Sequence, residues 1–263
     1  KTYKNDPGVV AIEINNENSL SHRWANGTMD KYLTDPVLFP KYGAPLETLW
    51  RNWAQAKYGS AAAAATAWGT SLASFANLKA PQKASQASMS ARLFSDWTQF
   101  TGETEGAYMK DMHDYLKNTV GVTSLVMGTQ SHYTPMYARD GSDMSDYHSY
   151  WGDVGVDAGL TNPANGRPVF QIQNKSVLAF SDPKDISLFG VHERKDINKP
   201  NILTEYVSRM GNQYLAEAEP LVSAYAGFQD LDAIFMTDAH QMNLYSTKDY
   251  YSGYYNVTVA AVA

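Results

Sequence analysis

Hydrophobic runs that stop at a polar edge recur along this chain. Val9, Val10, Ile12 and Ile14 favour a buried strand, and Asn15, Asn16 and Glu17 follow where that strand would leave the core. Val122-Thr123-Ser124-Leu125-Val126-Met127-Gly128 reads as a second buried strand and runs into Thr129-Gln130-Ser131-His132-Tyr133. Asp146-Tyr147-His148-Ser149-Tyr150-Trp151-Gly152 is a short strand ending in polar aromatics. Pro200-Asn201-Ile202-Leu203-Thr204-Glu205-Tyr206 repeats the first pattern, an apolar strand running into a carboxylate. Residues 231–236 form a last strand that ends at Thr237-Asp238-Ala239-His240.

Between these strands the period changes to that of a helix. Leu46, Leu49, Trp50, Trp53 and Tyr58 recur at helical spacing, and the alanines of 61–65 extend the propensity. Leu93, Trp97 and Phe100 make a second stripe, and Met109, Met112 and Leu116 a third. The spacing predicts a break between those two near Gly102 and Gly106. Ala218, Leu221, Val222, Tyr225 and Ala226 share a face of a further helix. Residues 21–43 read as a loop rich in aromatics, Pro and Gly, and 71–90 as a softer stretch broken at Pro81. Residues 152–196 read as a long irregular segment, of a length that is usually functional. No short repeat is present. Strands alternating with helical stretches predict an α/β fold with a parallel sheet and crossovers.

Composition narrows the chemistry. The 263 residues are 44% hydrophobic, enough for one large core. The net charge of −6 comes without a basic cluster, so nucleic acid is not an expected partner. There is no cysteine, which excludes disulfides, thiolate zinc sites and a cysteine nucleophile within this chain. No apolar run approaches membrane-spanning length, so no membrane partner is expected. Asn26-Gly27-Thr28, Asn174-Lys175-Ser176 and Asn256-Val257-Thr258 fit the N-glycosylation pattern, which fits a secreted or periplasmic location.

Two strands end in carboxylates, Glu17 and Glu205, and others end in His132, His148 and His240 with tyrosines and a tryptophan nearby. In an α/β barrel the C-terminal strand ends form the active-site face. Two carboxyls there suit glycoside hydrolysis: one protonates the leaving oxygen while the other attacks the anomeric carbon or activates water. Aromatic side chains offer flat faces to sugar rings. The histidines alone would suit a metal-dependent hydrolase, but no HExxH or comparable spacing exists, and no metal is expected. No Gly-rich phosphate loop follows a strand. No cofactor is expected.

These residues carry a resemblance. Ile12-Glu13-Ile14-Asn15-Asn16-Glu17-Asn18-Ser19-Leu20 is similar to the fourth-strand motif of clan A glycoside hydrolases, in which an Asn-Glu pair ends the strand. Asn201-Ile202-Leu203-Thr204-Glu205-Tyr206 resembles the seventh strand, and Asp146-Tyr147-His148-Ser149-Tyr150-Trp151 the sixth-strand segment of cellulase-like members. The stretch from Tyr214 to Phe235 looks like the seventh helix and eighth strand of those proteins.

The resemblance implies a TIM (β/α)8 barrel, with this chain covering strands four to eight as a single catalytic domain, 1–263. Three N-terminal βα units would come from the same protein or from another chain. Glu17 would be the acid/base and Glu205 the nucleophile of a retaining mechanism, which needs carboxyls about 5–5.5 Å apart. Asn16 would bond the sugar 2-hydroxyl. Tyr147 or His148 would orient Glu205, and His132, Trp151 and His240 would line the pocket. Glu13 shares strand parity with Glu17 and would be a structural polar group below it. Phe235-Met236-Thr237-Asp238 departs from the clan, which often closes strand eight with a tryptophan. The implied substrate is a β-linked oligo- or polysaccharide, β-mannan or β-glucan in type. The alternative is a non-catalytic carbohydrate-binding protein on the same barrel.

Overall fold

The N-terminal β-branched run condenses into a short strand, β1 (Ala11–Glu13), paired in parallel with β2 (Leu125–Met127) so that Ile12 stands opposite Val126. The computed structural model describes residues 3–130, 134–139, 141–151, 154–161, 168–172, 174–177, 195–208 and 212–236. They fall into two compact units, Lys1–Ser142 and Asp143–Ala263, each described by itself. No helix among the described residues is long and apolar enough to cross a membrane.

In the first unit the crossover from β1 to β2 is helical. It comprises α1 (Leu20–Ala25), α2 (Asp30–Thr34), a π-helical turn (Phe39–Gly43), α3 (Ala44–Tyr58), α4 (Ala61–Trp68) and α5 (Ala91–Asp114). The segment 21–43, read as loop, is thus largely short helices. Serines start three of the helices. Ser19, Ser60 and Ser90 each accept a hydrogen bond from a first-turn amide, of His22, Ala63 and Leu93 respectively. The turn from α3 into α4 passes through Gly59 at φ 70°, which only glycine adopts cheaply.

The two aromatic stripes meet in one cluster. Trp50 and Trp97 are fully buried and meet edge to face at 5.4 Å, and Trp50 stacks on Trp53 at 5.3 Å and on Trp68 at 5.6 Å. Leu49 belongs to the predicted stripe but faces outward. Asp96 lies inside this apolar cluster at 1% exposure. It accepts hydrogen bonds from the Tyr58 hydroxyl, from Trp68 Nε1 at 2.8 Å and from Lys57 Nζ at 3.1 Å, and Arg92 Nε stands 3.2 Å away. Burial works against its charge. The hydrogen bonds from Tyr58, Trp68 and Lys57 outweigh that and hold the carboxyl below its usual range.

The expected break near Gly102 and Gly106 is absent, and α5 runs unbroken through both. The glycines serve close packing instead. A Cβ at Gly102 would stand 2.3 Å from the Tyr137 hydroxyl and 2.9 Å from Pro135, and one at Gly106 would stand 3.1 Å from the backbone of Ala138. The turn Met136–Arg139 lies against the helix where side chains are missing.

In the second unit β3 (Ser145–Trp151), β6 (Asn201–Ser208) and β7 (Ala233–Met236) form a parallel sheet in that order. Part of the segment read as irregular is an antiparallel hairpin, β4 (Val154–Thr161) with β5 (Pro168–Ile172). α6 (Ala218–Gln229) links β6 to β7 and buries Ala218, Val222 and Ala226, the face its periodicity predicts. Asn201 anchors the start of β6 with its whole amide. Nδ2 donates to the carbonyls of Asp196 and Lys199, both at 2.7 Å, while Oδ1 accepts from Asp196 N and from the Tyr147 hydroxyl. The Lys195 ammonium donates to the carbonyls of Gln229 and Asp230, placing a cation at the negative end of α6. Both units are therefore α/β, with short parallel sheets.

Candidate active site

The loop that leaves β1 is held from below by the segment after β2. Ile14 N and Asn15 N donate to the carbonyls of Met127 and Gly128, both at 3.0 Å, which prolongs the parallel pairing beyond the strand. The backbone N–H of Glu17 donates to Oε1 of Gln130 at 3.0 Å, and Thr129 Oγ1 donates to the Asn18 carbonyl at 3.1 Å. Gln130 is itself buried. Glu17 sits at φ 48°, a left-handed conformation that costs a non-glycine residue about 1 kcal/mol or more. Neighbouring hydrogen bonds impose it, and the Glu17 side chain is exposed, as is that of Asn16.

A second carboxylate secures the far side of this loop. Glu105 of α5 is buried and accepts from Ser19 Oγ at 2.9 Å, from Ser21 N at 3.5 Å and from Thr134 Oγ1 at 2.6 Å. Ser19 caps α1, so one carboxylate joins the end of the Glu17 loop to α5. Sequence reasoning missed Glu105. A signal was present: Thr101, Glu105 and Met109 are spaced by four, which puts an acid on a buried helix face.

In the second unit the position of Glu205 depends on a bulge. Tyr147 pairs with Leu203 but His148 pairs with Glu205, so Thr204 is an extra residue in β6. Its hydroxyl donates to the Tyr147 carbonyl at 3.2 Å and to Asp146 Oδ2 at 3.3 Å. Plain alternation would put Leu203 and Glu205 on one face. With the extra residue, Leu203 and Tyr206 both join the core against α6, together with Tyr147, Trp151 and Val222. Glu205 turns to the opposite face, that of His148 and Tyr150.

On that face the Tyr150 hydroxyl donates a hydrogen bond to Glu205 Oε2, and His148 Nδ1 stands 3.6 Å from the same oxygen. The His148 side chain is 1% exposed and that of Glu205 29%, so the carboxylate is open to solvent and the imidazole is not. Behind the sheet the Tyr206 hydroxyl is buried without a hydrogen-bond partner among the described residues, and burial, with the Glu219 charge, pushes its phenol well up.

The predicted site residues thus part company. His148 stands beside Glu205. Tyr147 and Trp151 are instead in the core facing α6, with the Tyr147 hydroxyl on Asn201 and Trp151 Nε1 on the Lys175 carbonyl at 2.8 Å. This differs from the expected placing of both at the site. The cause is strand parity, which sends odd-numbered residues of β3 to the helix side. Tyr150, which the sequence reading did not single out, takes the place beside Glu205. Glu13 holds a buried Oε1 with no hydrogen-bond partner among the described residues. His132 and His240 lie outside the described residues.

The model of the glycoside hydrolase 42 family, described as beta-galactosidase, matches residues 1–175. The chain belongs to this family. That agrees with the clan A likeness drawn from the motifs. The Glu17 loop lies inside the matched span, and Glu205 lies beyond it. Two solved structures are similar. One is an agarase at 16% identity and TM-score 0.41, covering 62% of this chain and 19% of that one. The other is an exo-beta-agarase at 16% identity and TM-score 0.47, covering 74% of this chain and 25% of that one. The chain therefore spans a quarter or less of the length of these structures. No curated protein matches it.

Proposed function

We propose that this chain supplies strands four to eight of a (β/α)8 barrel in a retaining glycoside hydrolase acting on β-linked galactose. The observation that carries the reading is Glu205, which a bulge turns to the solvent-accessible face of β6 and the Tyr150 hydroxyl holds there. It stands in a chain whose family is described as beta-galactosidase. That description favours a galactoside over the mannan or glucan first expected. Three further βα units, from the same protein or another chain, would complete the barrel. A polysaccharide substrate suits a secreted or periplasmic protein.

Each carboxylate has one role in the double displacement. Glu205 attacks the anomeric carbon as Glu17 protonates the departing glycosidic oxygen, leaving a galactosyl ester on Glu205. Glu17, now a carboxylate, takes a proton from water. That water oxygen attacks the anomeric carbon, the ester bond breaks, and Glu205 is freed. Asn16 bonds the sugar 2-hydroxyl. The Tyr150 hydrogen bond restrains Glu205 in one rotamer, which lowers the entropic part of the barrier.

The test is covalent trapping in the native protein that carries this sequence. A 2-deoxy-2-fluoro-β-galactosyl fluoride should leave its sugar on Glu205, read by mass spectrometry of the digest. Glu205→Gln should abolish both label and turnover. Label on another carboxylate, or turnover retained by Glu205→Gln, overturns the reading.

A further inference from the structure

A cavity of about 610 Å3 opens beside the Glu17 loop, wholly within the first unit, and none of the roles above uses it. Its volume falls in the range of small-molecule sites, roughly 300–1,000 Å3. Asn15 and Asn18, on either side of Glu17 in the same loop, contribute to its wall. The remaining wall combines two kinds of surface. Tyr32, Tyr42 and Tyr108 supply aromatic faces, and the rings of Tyr32 and Tyr42 meet at 82° with centroids 5.5 Å apart, forming a corner. Tyr42 is 56% exposed and Tyr108 47%, so their rings are presented to solvent.

Polar groups stand around those faces. Arg23 Nε donates to Asn18 Oδ1 at 2.8 Å, which fixes the direction of its planar guanidinium. Glu105 is in the lining too, its buried carboxylate held by Ser19 and Thr134. A wholly apolar ligand would desolvate Asn15 and Arg23 without replacing their hydrogen bonds to water. A wholly polar one would waste three tyrosine faces. A pyranose ring satisfies both, with its C–H face on an aromatic ring and its hydroxyls toward amide and guanidinium.

We propose that this cavity binds a pyranose unit of a β-linked galacto-oligosaccharide, a unit other than the one whose bond is cleaved. The assignment rests on the glycosidase reading for its choice of sugar. Tyr42 and Tyr108 provide the stacking surface, and Arg23 and Asn15 the hydroxyl recognition.

The probe is a sulfur-linked, non-hydrolysable β-1,4-galactotetraose titrated calorimetrically into the full chain. Wild type should bind it, and the Tyr42→Ala/Tyr108→Ala double variant should bind roughly tenfold more weakly or worse, as loss of two aromatic faces implies. Arg23→Gln, at an exposed position, should weaken binding as well and decides the matter if the double variant fails to fold. No binding by wild type, or an unchanged Kd in the folded variants, overturns the proposal. The glycosidase reading fails separately: tyrosine-dependent binding in a protein that leaves no sugar on Glu205 upholds the cavity and removes the enzyme.

Discussion

Asp96 should be worth a large share of the stability of the first unit. Replacing it with alanine strands one buried donor. Trp68, 2% exposed, loses the acceptor for its indole N–H, whereas the Tyr58 hydroxyl is only half-buried and can turn to water. A buried donor left without a partner costs about 1–3 kcal/mol. Lys57 and Arg92 are 25% and 52% exposed at the side chain, so both cations can turn to water and add little. One stranded donor together with the space left behind gives about 3 kcal/mol, against a total that is typically about 5–15 kcal/mol for a domain. Asp96→Asn keeps the shape and one acceptor oxygen, and should cost about half as much.

Urea unfolding followed by tryptophan emission reads the change directly, because Trp50, Trp68 and Trp97 surround the site. The pH dependence has a definite sign. The folded carboxyl lies below its unfolded value of 3.8, so the charged form stabilises the fold above that value. The contribution declines as pH falls from 3.8 toward the lower folded value. The gap between wild type and Asp96→Asn should therefore be full at about pH 6 and shrink below about pH 4. A loss under about 1 kcal/mol for Asp96→Ala, or a gap indifferent to pH, would refute the reasoning.

Three other outcomes follow from single contacts. If Glu205 acts as proposed, Tyr150→Phe, which removes a charge-assisted hydrogen bond from it, should lower kcat/KM on an aryl β-galactoside by about 10–100-fold with the fold intact by circular dichroism; full activity would show that the contact does not position Glu205 for the proposed reaction. Gly106→Ala would raise helix propensity by about 1 kcal/mol in an open helix, but here the new Cβ meets the backbone of Ala138, so thermal melting should show a net loss, and a gain would contradict the packing. Asn201→Leu deletes four hydrogen bonds at the start of β6 and should cost about 3 kcal/mol in denaturant unfolding, whereas a neutral result would mean that the 195–200 turn holds itself.

Strand and helix periods, set by local sterics and by which face must leave water, made much of this protein legible from its residues. The hydrophobic runs around Ile12, Val126, Tyr147, Leu203 and Ile234 are strands, and Trp50, Trp97 and Phe100 meet in one core. The Asn15-Asn16-Glu17 motif pointed to glycoside hydrolases of clan A, though not to the particular family matched. What stayed hidden depends on register and on contacts distant in sequence. Alternation says that Tyr147 and His148 face opposite ways, but not which one shares a face with Glu205. That answer lies in the extra residue at Thr204, and a bulge leaves no periodic trace. Gly102 and Gly106 look the same in sequence whether they end a helix or admit a neighbour. Only the turn at 136–139, lying against α5, tells the two apart. Glu105 likewise becomes a brace for the Glu17 loop only once α5 and Ser19, 86 residues apart, are brought together.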